Sequence, residues 1–126
     1  MAETKTERLE EQLRKLENVG GVEGAAIVAR NGLMIASRLP KDIDERRFCA
    51  MAATMMGAVE TAAATLKRGA IKRVTAEIEK ATIVTMGAGP KALLVVAARF
   101  DANLGMLMIE MEEYADRIRS IMEESA

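Results

Sequence analysis

Residues 48–66 read FCAMAATMMGAVETAAATL, a run with one charge, Glu60, and few bulky side chains after Phe48. Such a run suits a bilayer, a protein core or a boundary shared by two subunits, and the choice among these decides the fold. At 1.5 Å per residue the run reaches about 28 Å as a helix, close to the ~30 Å hydrocarbon layer. Length alone therefore allows a membrane span. Insertion energy does not. Phe48, Val59 and Leu66 together gain roughly 1 to 2 kcal/mol, whereas an acid at the centre costs about 2.5 to 3.5. The flanks, Arg46-Arg47 and Lys67-Arg68, are equally basic and give no orientation. No membrane insertion is expected.

Wound at about 100° per residue, the run places Phe48, Met51, Met55, Val59, Ala62 and Leu66 on one stripe, which reads as the core-facing side. The opposite side carries Ala50, Ala53, Gly57 and Ala64, with Glu60 and Arg46 as its only charges. Two readings fit that second side. Small residues allow the same helix of another copy to pack closely about Gly57. Alternatively, the face is neutral and solvated, because alanine is simply the best helix former.

Working outward, Leu9, Leu13 and Leu16 in a charged segment predict a first amphipathic helix, stopped by Asn18-Val19-Gly20-Gly21. GAAIVA (24–29) and LMIASR (33–38) predict two strands joined through Arg30-Asn31-Gly32, since Asn-Gly between apolar runs is the strongest short hairpin signal. Pro40 closes the second strand, Asp42 or Asp44 caps the long helix, and Arg68-Gly69 stops it. Strands follow at 71–79, 82–88 and 91–100, with Gly87-Ala88-Gly89-Pro90 as the last turn. The first of these alternates apolar and polar residues except at Arg73 and Val74. The last, KALLVVAARF, is a nearly continuous apolar run, as a central strand covered on both faces would be. Asn103 caps a final helix whose inward side is Leu107, Met108, Met111, Ile118 and Ile121. The expected fold is α+β, an α/β sandwich of one domain over 1–126. Its order is α-β-β-α-β-β-β-α, with a five-stranded antiparallel sheet, the long helix on one face and the two terminal helices on the other.

Composition excludes several classes of function. The 126 residues carry a net charge of −1, so no strong field invites nucleic acid or an anionic membrane. Three aromatic residues (Phe48, Phe100 and Tyr114) leave little to stack on bases. There is no histidine, which removes the usual general base and metal ligand. The lone Cys49 forms no disulfide framework or cysteine-cluster metal site, and in a helix without a histidine it reads as a structural thiol. The charged N-terminus, MAETKTERLEEQLRKLE, does not read as a signal peptide, and a cytoplasmic location is expected. Gly87–Pro90 lacks the Lys-Ser/Thr of a phosphate loop. Glu112 and Glu113 read as a solvated helix face. Most of the ten methionines fall at predicted core positions. No catalytic residue, cofactor or metal is expected.

The stretch GVEGAAIVARNGLMIAS (21–37), the small-residue helix after it, and VVAARFDANLGMLMIEMEEYADRI (95–118) together resemble the Roadblock/LC7 family. The resemblance covers roughly residues 5 to 123 and implies three things. Members dimerise by joining sheets through the strand after the long helix, here 71–79, which puts Val74, Ala76 and Ile78 in the contact with Ala50, Ala53, Gly57 and Ala64. Antiparallel pairing there would bring Lys72 and Arg73 beside Glu77 and Glu79 of the mate. Many members bind and regulate small Ras-like GTPases, as activators or as scaffolds. The platform of paired long helices would then offer Arg46, Arg47, Glu60, Lys67 and Arg68 to the GTPase. The function this implies is a homodimeric interaction module, not an enzyme by itself. The other reading is an architectural subunit or small-molecule sensor without a GTPase partner.

Overall fold

The computed structural model describes residues 3–124. Its elements are α1 (Lys5–Glu17), β1 (Val22–Ala29), β2 (Met34–Arg38), α2 (Glu45–Ala64), β3 (Val74–Ile78), β4 (Ala81–Gly87), β5 (Ala92–Arg99) and α3 (Leu104–Glu123). The expected α+β order is present. All neighbouring strands are antiparallel, in the spatial order β2-β1-β5-β4-β3. The apolar run 91–100 thus supplies the middle strand, and residues Ala92 to Val96 are buried.

Local chemistry sets the element ends. Thr4 and Glu7 form a capping box on α1, satisfying donors at both positions. The Asp44 carboxylate accepts from Arg47 N–H at 3.2 Å, and Asn103 accepts from Met106 N–H at 3.2 Å. Each such cap contributes about 1 kcal/mol. Between β1 and β2, Gly32 takes φ +96°, a left-handed conformation that favours glycine, and its N–H donates to Ala29 O at 2.8 Å.

Most strand ends shift by one or two residues, and two boundaries differ further from expectation. The long helix ends at Ala64 rather than at Arg68-Gly69, because its last turn rests on nothing and Lys67 turns into the left-handed region at φ 54°. The strand expected at 71–79 shrinks to 74–78. Its pairing with β4 begins at Val74 opposite Thr85, while Arg73 leaves the sheet to meet Glu112 of α3 at 3.4 Å. The break in alternation at Arg73-Val74 marks where the strand begins.

The sheet divides two apolar layers. On one face, Leu9, Leu13 and Leu16 of α1 and Leu107, Met111, Ile118 and Ile121 of α3 bury Ile27, Val84, Leu94 and Val96. Each fully buried aliphatic side chain contributes roughly 1.5 to 3 kcal/mol. On the other face α2 lies alone, over β1, β2 and β5. It buries Cys49, Ala52, Ala53 and Met56 against Ala26, Val28, Leu93 and Val95.

That contact corrects the expected phase of α2. The stripe Phe48, Met51, Met55, Val59, Ala62 and Leu66 is not the core side. Met51 is 57% exposed, Val59 37% and Leu66 66%, while Phe48 and Met55 are half-buried. The smaller side chains go down because they let the helix backbone approach the sheet closely. The methionines are corrected in the same way. Met56, Met86 and Met111 are buried, but Met51 and Met106 are exposed and Met34, Met55, Met108 and Met122 only half-buried. Met1 lies outside the described residues.

Candidate interaction surface

The off-centre seat of α2 creates two unlike flanks. Toward β4, Phe48, Met51, Ala52 and Met55 line an apolar cleft of about 140 Å³ floored by Ile83. Ile83 pairs with Ala76, so Val74, Ala76 and Ile78 of β3 share the face of the sheet that α2 occupies. No helix of the same chain reaches them fully. Val74 and Ala76 are half-buried and Ile78 is 58% exposed. A continuous apolar strip therefore runs from the methionines of α2 to the open edge of the sheet.

The other flank faces the β1–β2 hairpin. Ala50, Gly57 and Ala64 recur every seven residues and share one side of α2. A Cβ built on Gly32 would lie 3.6 Å from the Ala50 backbone, so the hairpin turn already abuts Ala50. Ala53 is buried on its own sheet, whereas Gly57 and Ala64 are exposed. The Glu60 carboxylate meets Arg30 at 3.0 Å, and Arg30 also donates to Gly89 O at 3.3 Å. One guanidinium thus ties α2 to the hairpin and to the β4–β5 turn. The expected interface residues consequently fall on opposite sides of α2: the alanine and glycine side toward β2, and Val74, Ala76 and Ile78 toward the far edge.

Of the residues expected to meet a partner, Arg46 and Arg47 lie in the first turn of α2, and Lys67 and Arg68 lie just past its end. All four are exposed, and none joins an ion pair among the described residues. Glu60 stands apart, already engaged by Arg30.

Reactive groups are few. The Cys49 thiol is buried, and burial first, then the nearby Glu45 charge, pushes it up to about 11. It stays protonated at neutral pH, a poor nucleophile. Gly87–Pro90 forms the turn between β4 and β5, with the Arg119 side chain against Gly89. Glu112 and Glu113 are exposed and paired with Arg73 and Arg117. No group of three or more acidic, cysteine or histidine side chains suited to a metal ion occurs among the described residues. Among those residues, too, no helix is long and apolar enough to cross a membrane.

Reading the sequence missed the methionine flank and the Arg30–Glu60 tie. Exposure of the first could be sensed only as an excess of apolar helix surface. The second joins residues 30 positions apart and leaves no local signal.

Comparison with known proteins agrees with this architecture. The family model for the Roadblock/LC7 domain matches residues 8–98. Two uncharacterized proteins of Methanocaldococcus jannaschii are 34% and 33% identical over 109 residues, spanning 86% of this chain and 95% of each relative. Among solved structures, the gliding protein MglB of Thermus thermophilus superposes with a TM-score of 0.89 at 22% identity, covering 99% of this chain and 96% of its own. MglB of Myxococcus xanthus gives 0.88 at 19% identity, covering 98% and 93%.

Proposed function

The chain belongs to the Roadblock/LC7 family, and on that premise we propose that it is a cytoplasmic homodimer that binds and regulates a small Ras-like GTPase. The observation that supports the dimer is the uncovered strip between α2 and β3. Met51, Val59 and Ile78 are large apolar side chains left open beside the half-covered Val74, Ala76 and Ile83. Contiguous apolar surface of this kind marks a contact site. A two-fold axis at β3 would use the same strip twice, laying each α2 methionine flank against its mate.

The two sheet edges favour this choice. β2 is closed by a register shift in its pairing with β1, by Leu39-Pro40 at its end and by the Arg38–Glu17 ion pair. β3 pairs with β4 in unbroken register, and its outer edge carries no such guard. Lys72, Arg73 and Glu79 fall outside β3, and Arg73 is held by Glu112 of α3, so the seam rests on apolar side chains and not on the charge pairs expected of a strand over 71–79. In this arrangement the self-contact takes Val74, Ala76 and Ile78 with Met51, Met55 and Val59. Gly57 and Ala64 then belong with Arg46, Arg47, Glu60, Lys67 and Arg68 to the outward surface offered to the GTPase. Ala50 and Ala53 act beneath it, by letting α2 sit close to its own hairpin and sheet.

The chain performs no reaction alone in this reading. It lacks histidine, and its one thiol is buried and protonated. An arginine supplied in trans would raise GTP hydrolysis about 10³- to 10⁵-fold. Arg46, Arg47 and Arg68 sit at helix ends, suited to pairing with acidic surface groups, so regulation works by positioning the GTPase's own residues. Titration calorimetry against a small GTPase from the same genome, loaded with GDP and then with a non-hydrolysable GTP analogue, tests the partner. Binding in at least one state is expected, and each arginine-to-alanine change should lower any stimulated hydrolysis less than tenfold. Binding to neither state removes the GTPase and leaves an architectural subunit. The self-contact is tested separately: Met51→Glu should halve the solution mass while circular dichroism stays unchanged.

A further inference from the structure

A second apolar surface lies on the opposite side of the sheet from the β3 strip. Between the end of α1 and the start of α3 runs a groove of about 490 Å³, with Val19, Met106, Leu107 and Tyr114 among its lining residues. Met106 stands at the rim of this groove and Ile109 just outside it, at 60% and 66% exposure, three residues apart on α3. The contact through β3 uses none of these residues. Groove and ridge are therefore adjacent on one face, which is the requirement for ridges-into-grooves packing between two copies.

The charges on the groove walls are self-complementary. Lys15 belongs to the α1 wall and Glu110 to the α3 wall. Among the described residues neither joins an ion pair, although most acidic residues of α3 do: Glu112, Glu113, Asp116 and Glu123 are all engaged by arginines. A surface that carries one unpaired charge of each sign, facing across an apolar slot, matches a rotated copy of itself. Lys15 of one copy meets Glu110 of the other, and the reverse pair forms by symmetry. An unrelated acidic or basic segment would satisfy only one wall.

We propose that this groove takes a second copy of the chain, the Met106–Ile109 ridge of each copy seated in the groove of the other, and that it joins dimers into larger assemblies. Two different two-fold contacts on one chain close into a tetramer when their axes cross and otherwise extend into a filament. Opposite charges at an exposed rim add little free energy, so the association is expected to be weak and to depend on concentration and salt.

Sedimentation of the full chain from dilute to concentrated solution tests the idea. The wild type should pass from a mass of two chains to a larger one, and Ile109→Lys should hold it at two. Lys15→Glu and Glu110→Lys should each do the same, while the double exchange restores the larger assembly. A merely apolar patch would not respond to that exchange. All three sites are exposed or half-exposed, and an unchanged circular dichroism spectrum will certify the fold of each variant. A wild type that never exceeds two chains overturns the proposal, as does a double exchange no larger than its parents. Failure of the β3 reading is distinct: Met51→Glu would then leave the mass unaltered, while Ile109→Lys would still reduce it.

Discussion

Replacing Gly57 by alanine tests the placement of α2 directly. Gly57 lies within α2, is exposed, and a Cβ built on it meets nothing within 4 Å. Its backbone is not among the positive-φ positions, so no conformational need for glycine exists. Alanine at an open site in mid-helix is worth about 0.8 to 1.0 kcal/mol over glycine. With an unfolding entropy of about 2.1 cal/mol/K per residue, that gain raises Tm by roughly 3 to 4 °C for a chain of this length. If the dimer forms through β3 and the methionine flank, Gly57 is outside the seam and the solution mass should not change. Thermal unfolding of wild type and Gly57→Ala at equal protein concentration reads the first quantity, and light scattering the second. Equal concentration matters because association itself shifts Tm. A lower Tm together with loss of the dimer would put a second helix over Gly57 and refute the assignment of flanks.

Two further outcomes follow from geometry within the chain. Gly21 has φ +88°, and a Cβ there would stand 2.4 Å from the Ala102 Cβ, so Gly21→Ala should destabilise by at least about 2 kcal/mol in urea titration, a left-handed residue alone costing roughly 1 to 2. Burial raises the Cys49 thiol to about 11, so the folded state holds its proton more tightly than the unfolded chain does; the stabilisation is complete below about pH 9 and falls as pH rises toward 11. Relative to Cys49→Ala, the wild type should lose up to about 2 to 3 kcal/mol across that window, and parallel pH profiles of the two proteins would show that the thiol is not shielded.

Elements with short-range causes were legible in the sequence. Asn31-Gly32 placed the first hairpin, Leu9, Leu13 and Leu16 placed α1, and Asn103 placed the start of α3, because each signal acts within one turn of chain. The nearly continuous apolar run within 91–100 revealed the middle strand, since a strand covered on both faces needs no polar side. The start of β3 was written as a lapse in alternation at Arg73-Val74, and the pull on Arg73 comes from Glu112 on α3. That pull has no local trace. Nor does the Arg30–Glu60 tie, or the groove in which Lys15 and Glu110 stand unpaired.

The phase of α2 failed for a reason that bears on function. Ranking faces by side-chain size assigns the largest apolar stripe to the chain's own core, and for most surface helices of a monomer that is correct. Here the sheet beneath α2 presents Ala26 and Val28 beside Leu93 and Val95, and Cys49, Ala52, Ala53 and Met56 fill that space at close approach. Five strands are wider than one helix can cover, so an apolar face must remain, and the larger side chains Met51, Met55 and Val59 are on the side where it remains. A sequence carries the total apolar surface of a helix but not its division between self and neighbour. An expectation that overfills one face, with a second apolar face to spare, is therefore itself a signal of assembly. In this chain the spare face lies at the edge of β3, the edge proposed for the contact between two copies.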